Sequence, residues 1–175
     1  VKMVVSGVYH SLFIKADGSL WGMGRNDHGQ LGTGDQADRN QSALILPSGI
    51  SQVSAGKDHT LIVKTDGSLW TMGDNSYGQL GDGTYVDRDH DPQQVVDSGV
   101  VSAAAGSRHV IFAKDDGSLW AMGSNTAGEF GTGETSNPKR PVEVLPHGVT
   151  FAGAQYVLKN DGALLKTSGA FPEEF

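Results

Sequence analysis

Asp66-Gly67-Ser68-Leu69-Trp70-Thr71-Met72-Gly73 sits near the middle of the chain and has two near-copies. They are Asp17-Gly18-Ser19-Leu20-Trp21-Gly22-Met23-Gly24 and Asp116-Gly117-Ser118-Leu119-Trp120-Ala121-Met122-Gly123. The three tryptophans are separated by 49 and then 50 residues. Self-similarity at a fixed period of this length is the signature of a repeat architecture. Eleven residues before each Asp-Gly glycine stands another glycine, Gly7, Gly56 or Gly106, followed three residues later by His10, His59 or His109. Downstream, Asn26, Asn75 and Asn125 lead into Gly29-Gln30-Leu31-Gly32, Gly78-Gln79-Leu80-Gly81 and Gly128-Glu129-Phe130-Gly131. A fourth, eroded copy runs from Ala152-Gly153 through Tyr156, at the histidine phase, to Asp161-Gly162-Ala163-Leu164-Leu165. The chain therefore divides into repeats of about 1–49, 50–98, 99–148 and 149–175, forming one repeat domain over 1–175.

Within a repeat, short apolar runs alternate with turn signals. His59-Thr60-Leu61-Ile62-Val63-Lys64 is β-branched and too short for a stable helix. Thr65-Asp66-Gly67-Ser68 predicts a hairpin turn of type I′, and Leu69–Met72 the return strand. Flanking strands are expected at about Ile50–Ala55 and Gln93–Val96. Four strands in 50 residues make one blade of a β-propeller. A blade lies between two neighbours, which explains why Leu61, Ile62 and Val63 run together without polar alternation. Tryptophan and methionine, two residues apart, share one face. Gly22, Thr71 or Ala121 between them takes the other. Three buried tryptophans, each contributing roughly 3–5 kcal/mol, are expected to dominate the core. The fold class is all-β: a propeller of four-stranded antiparallel blades, with three full repeats and a degenerate fourth.

The pattern Ala55-Gly56-x-x-His59 … Asp66-Gly67-x-Leu69-Trp70-x-x-Gly73-x-Asn75-x-x-Gly78-Gln79-Leu80-Gly81 resembles the repeats of the regulator-of-chromosome-condensation family, in the style of its bacterial members. Kelch repeats have a similar period, but the Gly-Gly doublet of a kelch blade is absent. The resemblance implies a seven-bladed ring and binding of another protein through a propeller face. Its known members include a nucleotide exchange factor on chromatin, parts of ubiquitin ligases and a secreted β-lactamase inhibitor. This chain holds fewer than four full blades. It is thus a partial propeller, a ring completed by a second copy, or a stack on another partner. About fifteen strands are expected in one chain. Because it opens at Val1, it reads as a processed or excised piece.

Composition narrows the partners. A hydrophobic share of 37% and 25 glycines in 175 residues fit a turn-rich β protein, not a disordered one. With no cysteine there is neither a disulfide nor a thiolate metal site. A net charge of -7 argues against nucleic acid as the main partner, since phosphate binding needs a basic footprint. No apolar stretch has the length of a membrane span. The compartment stays open, with a secreted or cell-surface bacterial setting slightly favoured.

No nucleophile elbow, phosphate loop or dinucleotide fingerprint appears, so no catalytic residue, metal ligand or cofactor is assigned. His10, His59 and His109, with Trp21, Trp70, Trp120, Asn26, Asn75 and Asn125, recur in every good repeat and are read as structural. Asp82, Asp87, Asp89, His90 and Asp91 form the densest ionisable cluster, but without calcium-loop spacing they read as a solvated loop. Function is expected where the repeats differ. Two phases do so: the pair after the first glycine, and the residues flanking the asparagine. Equal phase means equal height on the ring, so each set lines one rim. Tyr9, Arg25, Asp27, His28, Asp58, Tyr77 and Arg108 are the candidate partner-binding residues there. The expectation is a non-catalytic protein-binding module. A carbohydrate-binding propeller, or a spacer module of a larger surface protein, is the alternative.

Overall fold

The computed structural model describes residues 1–167. They form fifteen strands and no helix. Blade 1 comprises β1 (Met3–Ser6), β2 (His10–Ile14), β3 (Leu20–Gly24) and β4 (Arg39–Leu46). Blade 2 comprises β5 (Ile50–Ala55), β6 (His59–Lys64), β7 (Leu69–Gly73) and β8 (Arg88–Val96). In blade 3 stand β9 (Val100–Ala105), β10 (His109–Lys114), β11 (Leu119–Gly123) and β12 (Val142–Leu145); blade 4 has β13 (Val149–Ala152), β14 (Tyr156–Lys159) and β15 (Leu164–Lys166). Each sheet is an antiparallel meander of sequential strands. Among the described residues no helix is long and apolar enough to cross a membrane.

Adjacent blades pack face to face through three separate cores. Leu12, Ile14, Leu20 and Leu31 of blade 1 meet Ile50, Val53, Ile62 and Met72 of blade 2. Leu61, Val63 and Leu69 then meet Val100, Ala103, Val110, Phe112 and Met122 of blade 3. Ile111, Ala113, Leu119, Ala121 and Phe130 complete the series against Val149, Ala152 and Val157. Burial on both sides is written into the strands. Every residue of β6 from His59 to Val63 is buried, whereas β2, with a neighbour on one side only, alternates.

The tryptophans do not dominate these cores. Trp21, Trp70 and Trp120 are only part-buried, with the indole bodies at the margin under Lys15, Lys64 and Lys114, whose Nζ atoms lie 3.6, 3.5 and 4.8 Å from the ring centroids. The indole N–H explains the position. It donates to the hydroxyl of Ser19, Ser68 or Ser118 at 2.8–2.9 Å, and that hydroxyl donates to Asp17, Asp66 or Asp116. A polar group that needs a partner holds the ring at the strand end, and aliphatic and phenylalanine side chains fill the centre.

The hairpin turn also differs from the type I′ expected. Gly67 N–H bonds the Lys64 carbonyl, and Lys64 N–H bonds the Ser68 carbonyl. In this loop Gly67 alone adopts positive φ (77°), and among the described residues no non-glycine does so. This is a three-residue loop closing on a left-handed glycine. Asp66 does not take positive φ, and its carboxylate accepts the Ser68 hydroxyl and N–H, which lowers its pKa below the usual carboxylate value. The outer strand of blade 2 is a further correction. It starts at Arg88, not near Gln93, so Asp89, His90 and Asp91 lie in a strand, not a loop. Its polar composition hid it, since an outermost strand needs little apolar cover.

Candidate functional site

The loop entering the second strand of a blade and the loop leaving its third strand are tied together by backbone. Arg25 N–H donates to the Tyr9 carbonyl at 3.0 Å, Asp74 N–H to Asp58 at 2.8 Å, and Ser124 N–H to Arg108 at 2.9 Å. The two variable phases therefore share one rim in blades 1 to 3. The glycine that ends each third strand makes the approach possible. At Gly73 (φ 106°) an added Cβ would sit 2.5 Å from the Asp58 carbonyl oxygen.

Across blades, the variable side chains meet their neighbours. Arg25 ion-pairs with Asp27, approaches Asp58 of blade 2 at 3.7 Å, and lies 5.2 Å from the Tyr9 ring centroid. Asp58 itself is 5% exposed, closed over by Arg25 and by Lys57 at 3.3 Å. Tyr77 of blade 2 accepts a hydrogen bond from Arg108 of blade 3 at 3.1 Å, with the guanidinium stacked 4.9 Å from its ring. Beside this pair opens a recess of about 300 Å³ lined by Tyr77, Arg108, Ser124, Thr126 and Glu129. A second recess, about 470 Å³, lies at the axial end of the arc among Gly7, Gly56, Gly106 and Lys57.

His28 belongs to a different contact. Its Nδ1 lies 2.7 Å from Asp87, whose other oxygen accepts the Asn75 N–H. Burial opposes protonation of His28, but the hydrogen bond and charge of Asp87, with Asp27 and Asp74, outweigh it and raise the pKa. The ligand atoms of His28, Asp74 and Asp87 lie within 4.8 Å of one another. Both carboxylates are already engaged, Asp74 by Ser76 and Gln79, Asp87 by Asn75 and His28, so the trio reads as a hydrogen-bonded joint between blades. Asp82 likewise bonds Asn75 and Thr84.

The repeated asparagines organise the loops that carry the site. The Oδ1 of Asn26, Asn75 and Asn125 accepts the N–H of Leu31, Leu80 and Phe130 at 2.8–3.0 Å. Their Nδ2 groups donate to the carbonyls of Asp35, Thr84 and Glu134. Their own N–H groups donate to Asp38, Asp87 and Asn137, twelve residues on in each repeat. That last phase was legible in the sequence, because its spacing of 49 and 50 residues matches that of the tryptophans. Asp and Asn exchange there, and Asp87 reads in the sequence as one of an acidic cluster in a solvated loop.

His10 and His59 are buried and His109 is half-buried, and burial disfavours the charged ring in all three. His10 Nε2 lies 2.9 Å from the Thr60 hydroxyl, which spends its proton on the Gln30 carbonyl at 2.8 Å, so His10 donates from Nε2. Burial pushes its pKa down to about 4, that of His59 down to about 3, and that of His109 down as well.

Known proteins match in sequence and in shape. Two family models, each described as Regulator of chromosome condensation (RCC1) repeat, match residues 1–30, 50–79 and 100–129 in one case and 17–63 and 66–113 in the other. Over 47 residues the chain is 51% identical to Protein RCC2 homolog of Danio rerio, a stretch covering 26% of this chain and 10% of that protein. Human WBSCR16 superposes with a TM-score of 0.77 at 26% identity, over 93% of this chain and 46% of its own. Yeast RCC1 (Prp20), solved bound to Kap60, gives 0.77 at 17% identity, over 98% and 48%. Prp20p from Saccharomyces cerevisiae, solved in a study of its binding to Gsp1p and histones, gives 0.72 at 18% identity, over 98% and 50%. The chain thus spans about half the length of these structures. With the repeat matched over more than half its residues and the blades superposed, this chain belongs to the regulator-of-chromosome-condensation repeat family.

Proposed function

We propose that the chain is a non-catalytic binding module that recognises another protein through the rim carrying Tyr9, Arg25, Asp27, Asp58, Tyr77 and Arg108. The observation that supports this most is the pairing of unlike residues from neighbouring blades at one height: Arg25 with Asp58, and Tyr77 with Arg108. Everything beneath them repeats; these do not. Arg and Tyr held in a stacked pair form a rigid, amphipathic surface with little entropy left to lose, the chemistry of an interface anchor. The recess beside Tyr77 and Arg108 is open for a partner side chain. Prp20, solved bound to Kap60 and studied for its binding to Gsp1p and histones, fits the same reading.

Affinity capture from the source organism with three forms of the chain tests it. The wild type and Asp115→Ala, an exposed change on the opposite rim, are expected to retain the same partner. Tyr77→Ala with Arg108→Ala is expected to weaken that complex by roughly 30-fold or more, as loss of a hot spot does. Equal retention by all three forms would place recognition elsewhere. Binding to a glycan array that vanishes with Tyr77→Ala would point to carbohydrate instead.

A further inference from the structure

The rim keeps one arrangement of positions from blade to blade and changes the charges on it. At the junction of blades 1 and 2, Arg25, which precedes the repeated asparagine, lies 3.7 Å from Asp58, which precedes the repeated histidine. At the junction of blades 2 and 3 the same two positions hold Asp74 and Arg108, and at that of blades 3 and 4 they hold Ser124 and Gln155. The charges of the middle junction are thus reversed, yet Asp74 and Arg108 do not pair. Asp74 is buried and its carboxylate turns to its own loop, where it accepts the Ser76 hydroxyl and N–H and the Gln79 side-chain amide. Arg108, exposed, turns instead to Tyr77, stacking on its ring and donating to its hydroxyl at 3.1 Å.

Arg108 therefore carries a charge that no carboxylate among the described residues neutralises. Blade 1 shows what such a pair takes. There Arg25 also lies over a tyrosine, Tyr9, and it is held by the carboxylates of Asp27 and Asp58. The recess beside Arg108 has one acid on its wall, Glu129, and that acid is engaged by the Ser124 hydroxyl at 3.3 Å and the Ala127 N–H at 2.9 Å. Ser107, Ser124 and Thr126 line the rest of the recess with hydroxyls. Blades 2 and 3 are each covered on both faces, so the geometry of this junction does not depend on what adjoins the ends of the arc. A guanidinium whose plane is fixed by stacking loses little freedom on binding, and its remaining N–H groups form a fork matched to a carboxylate.

We infer that Arg108 receives an aspartate or glutamate side chain of the partner protein, which enters the recess between Tyr77 and Glu129 and supplies the carboxylate that Asp58 supplies to Arg25. This rests on the reading of the rim as a protein-binding surface and names the chemistry that the surface selects. Charge decides between a carboxylate and a phosphate. A phosphorylated side chain brings a charge of about −1.5 to −2. The recess offers one cation and has Glu129 on its wall, which suits a single negative charge. Docking of the partner excludes water from the pair and strengthens it, and an uncharged or basic side chain at the same place would leave Arg108 covered and unpaired.

Hexapeptide libraries, each with one residue fixed at a central position and the others randomised, test it against the 175-residue chain. Libraries fixed as Asp or Glu are expected to bind roughly tenfold or more tightly than those fixed as Asn or Gln. Arg108→Gln, a change at an exposed site, is expected to abolish that preference, and Arg108→Glu to transfer it to the Lys and Arg libraries. Unchanged far-ultraviolet spectra of both variants would show that the blades still fold. A wild type without preference for acid overturns the inference. So does a preference that survives Arg108→Gln, and so does tighter binding of a phosphoserine library. Binding of aromatic libraries that is lost with Tyr77→Ala, with no preference for acid, overturns the carboxylate and leaves the rim as the protein-binding surface.

Discussion

At the scale of single residues, the structure shows how one polar atom can settle the place of a large side chain. The indole N–H of each tryptophan needs an acceptor, and the serine two residues earlier supplies it while an aspartate orders the serine. The histidines follow the opposite rule: their rings are taken out of water and kept neutral. His10, His59 and His109 bind fewer protons in the fold than in the unfolded chain once the pH drops below about 6.5, the ordinary histidine value. The stability these three contribute is therefore present above about pH 6.5 and falls as the pH is lowered towards the depressed folded values of about 4 and about 3, while His28, whose pKa is raised beside Asp87, contributes in the opposite sense and loses its part as the pH rises. The slope expected is roughly 1 kcal/mol per pH unit for each histidine. Urea unfolding at pH 7.5, 6 and 5 measures it, and a free energy independent of pH over that window would contradict the neutral, buried assignment.

At the scale of elements, the unit of construction is a strand pair plus the asparagine-centred loop that follows it. Asn75 is completely buried and serves the Leu80 N–H, the Thr84 carbonyl and the Asp87 carboxylate at once. Asn75→Ala leaves the Leu80 N–H and the Thr84 carbonyl without partners and is expected to cost about 2–4 kcal/mol in chemical denaturation. Asn75→Asp keeps the acceptor for Leu80 but turns a carboxylate oxygen on Asp82 and the Thr84 carbonyl in a buried site, so it should cost at least as much as alanine; a smaller cost would mean that the acceptor alone matters. Gly73 tests the approach of strand to loop. With φ at 106° and the Asp58 carbonyl in the way, Gly73→Ala is expected to lower stability by about 2 kcal/mol or more and to disturb the rim it supports, read as a shift in the amide resonances of Asp58 and Asp74.

At the scale of the whole molecule, the arc is a one-dimensional stack in which each blade is stabilised by its neighbours. Blades 2 and 3 are covered on both faces and blades 1 and 4 on one. Hydrogen exchange of the single chain is expected to show the slowest amides in β6 and β10, with β2 and β14 exchanging at least tenfold faster, as local opening at unsupported ends predicts. Uniform protection in a concentration-independent monomer would contradict a stack with open ends.

The amino-acid sequence alone determined the repeat, its period, its strands near Ile50–Ala55, His59–Lys64 and Leu69–Met72, and the family, because a spacing of 49 and 50 residues between like motifs admits few architectures. It also marked the variable rim positions, since loops that escape the repeat stand out against it. Contacts between blades were decided only by the tertiary structure. That Arg25 reaches Asp58, Tyr77 reaches Arg108 and His28 turns to Asp87 depends on the rotation from one blade to the next, which links residues 31 to 59 positions apart and leaves no local trace. The same holds for the tryptophans: apolar area predicted a central position, and a hydrogen bond geometry visible only in three dimensions moved them to the margin.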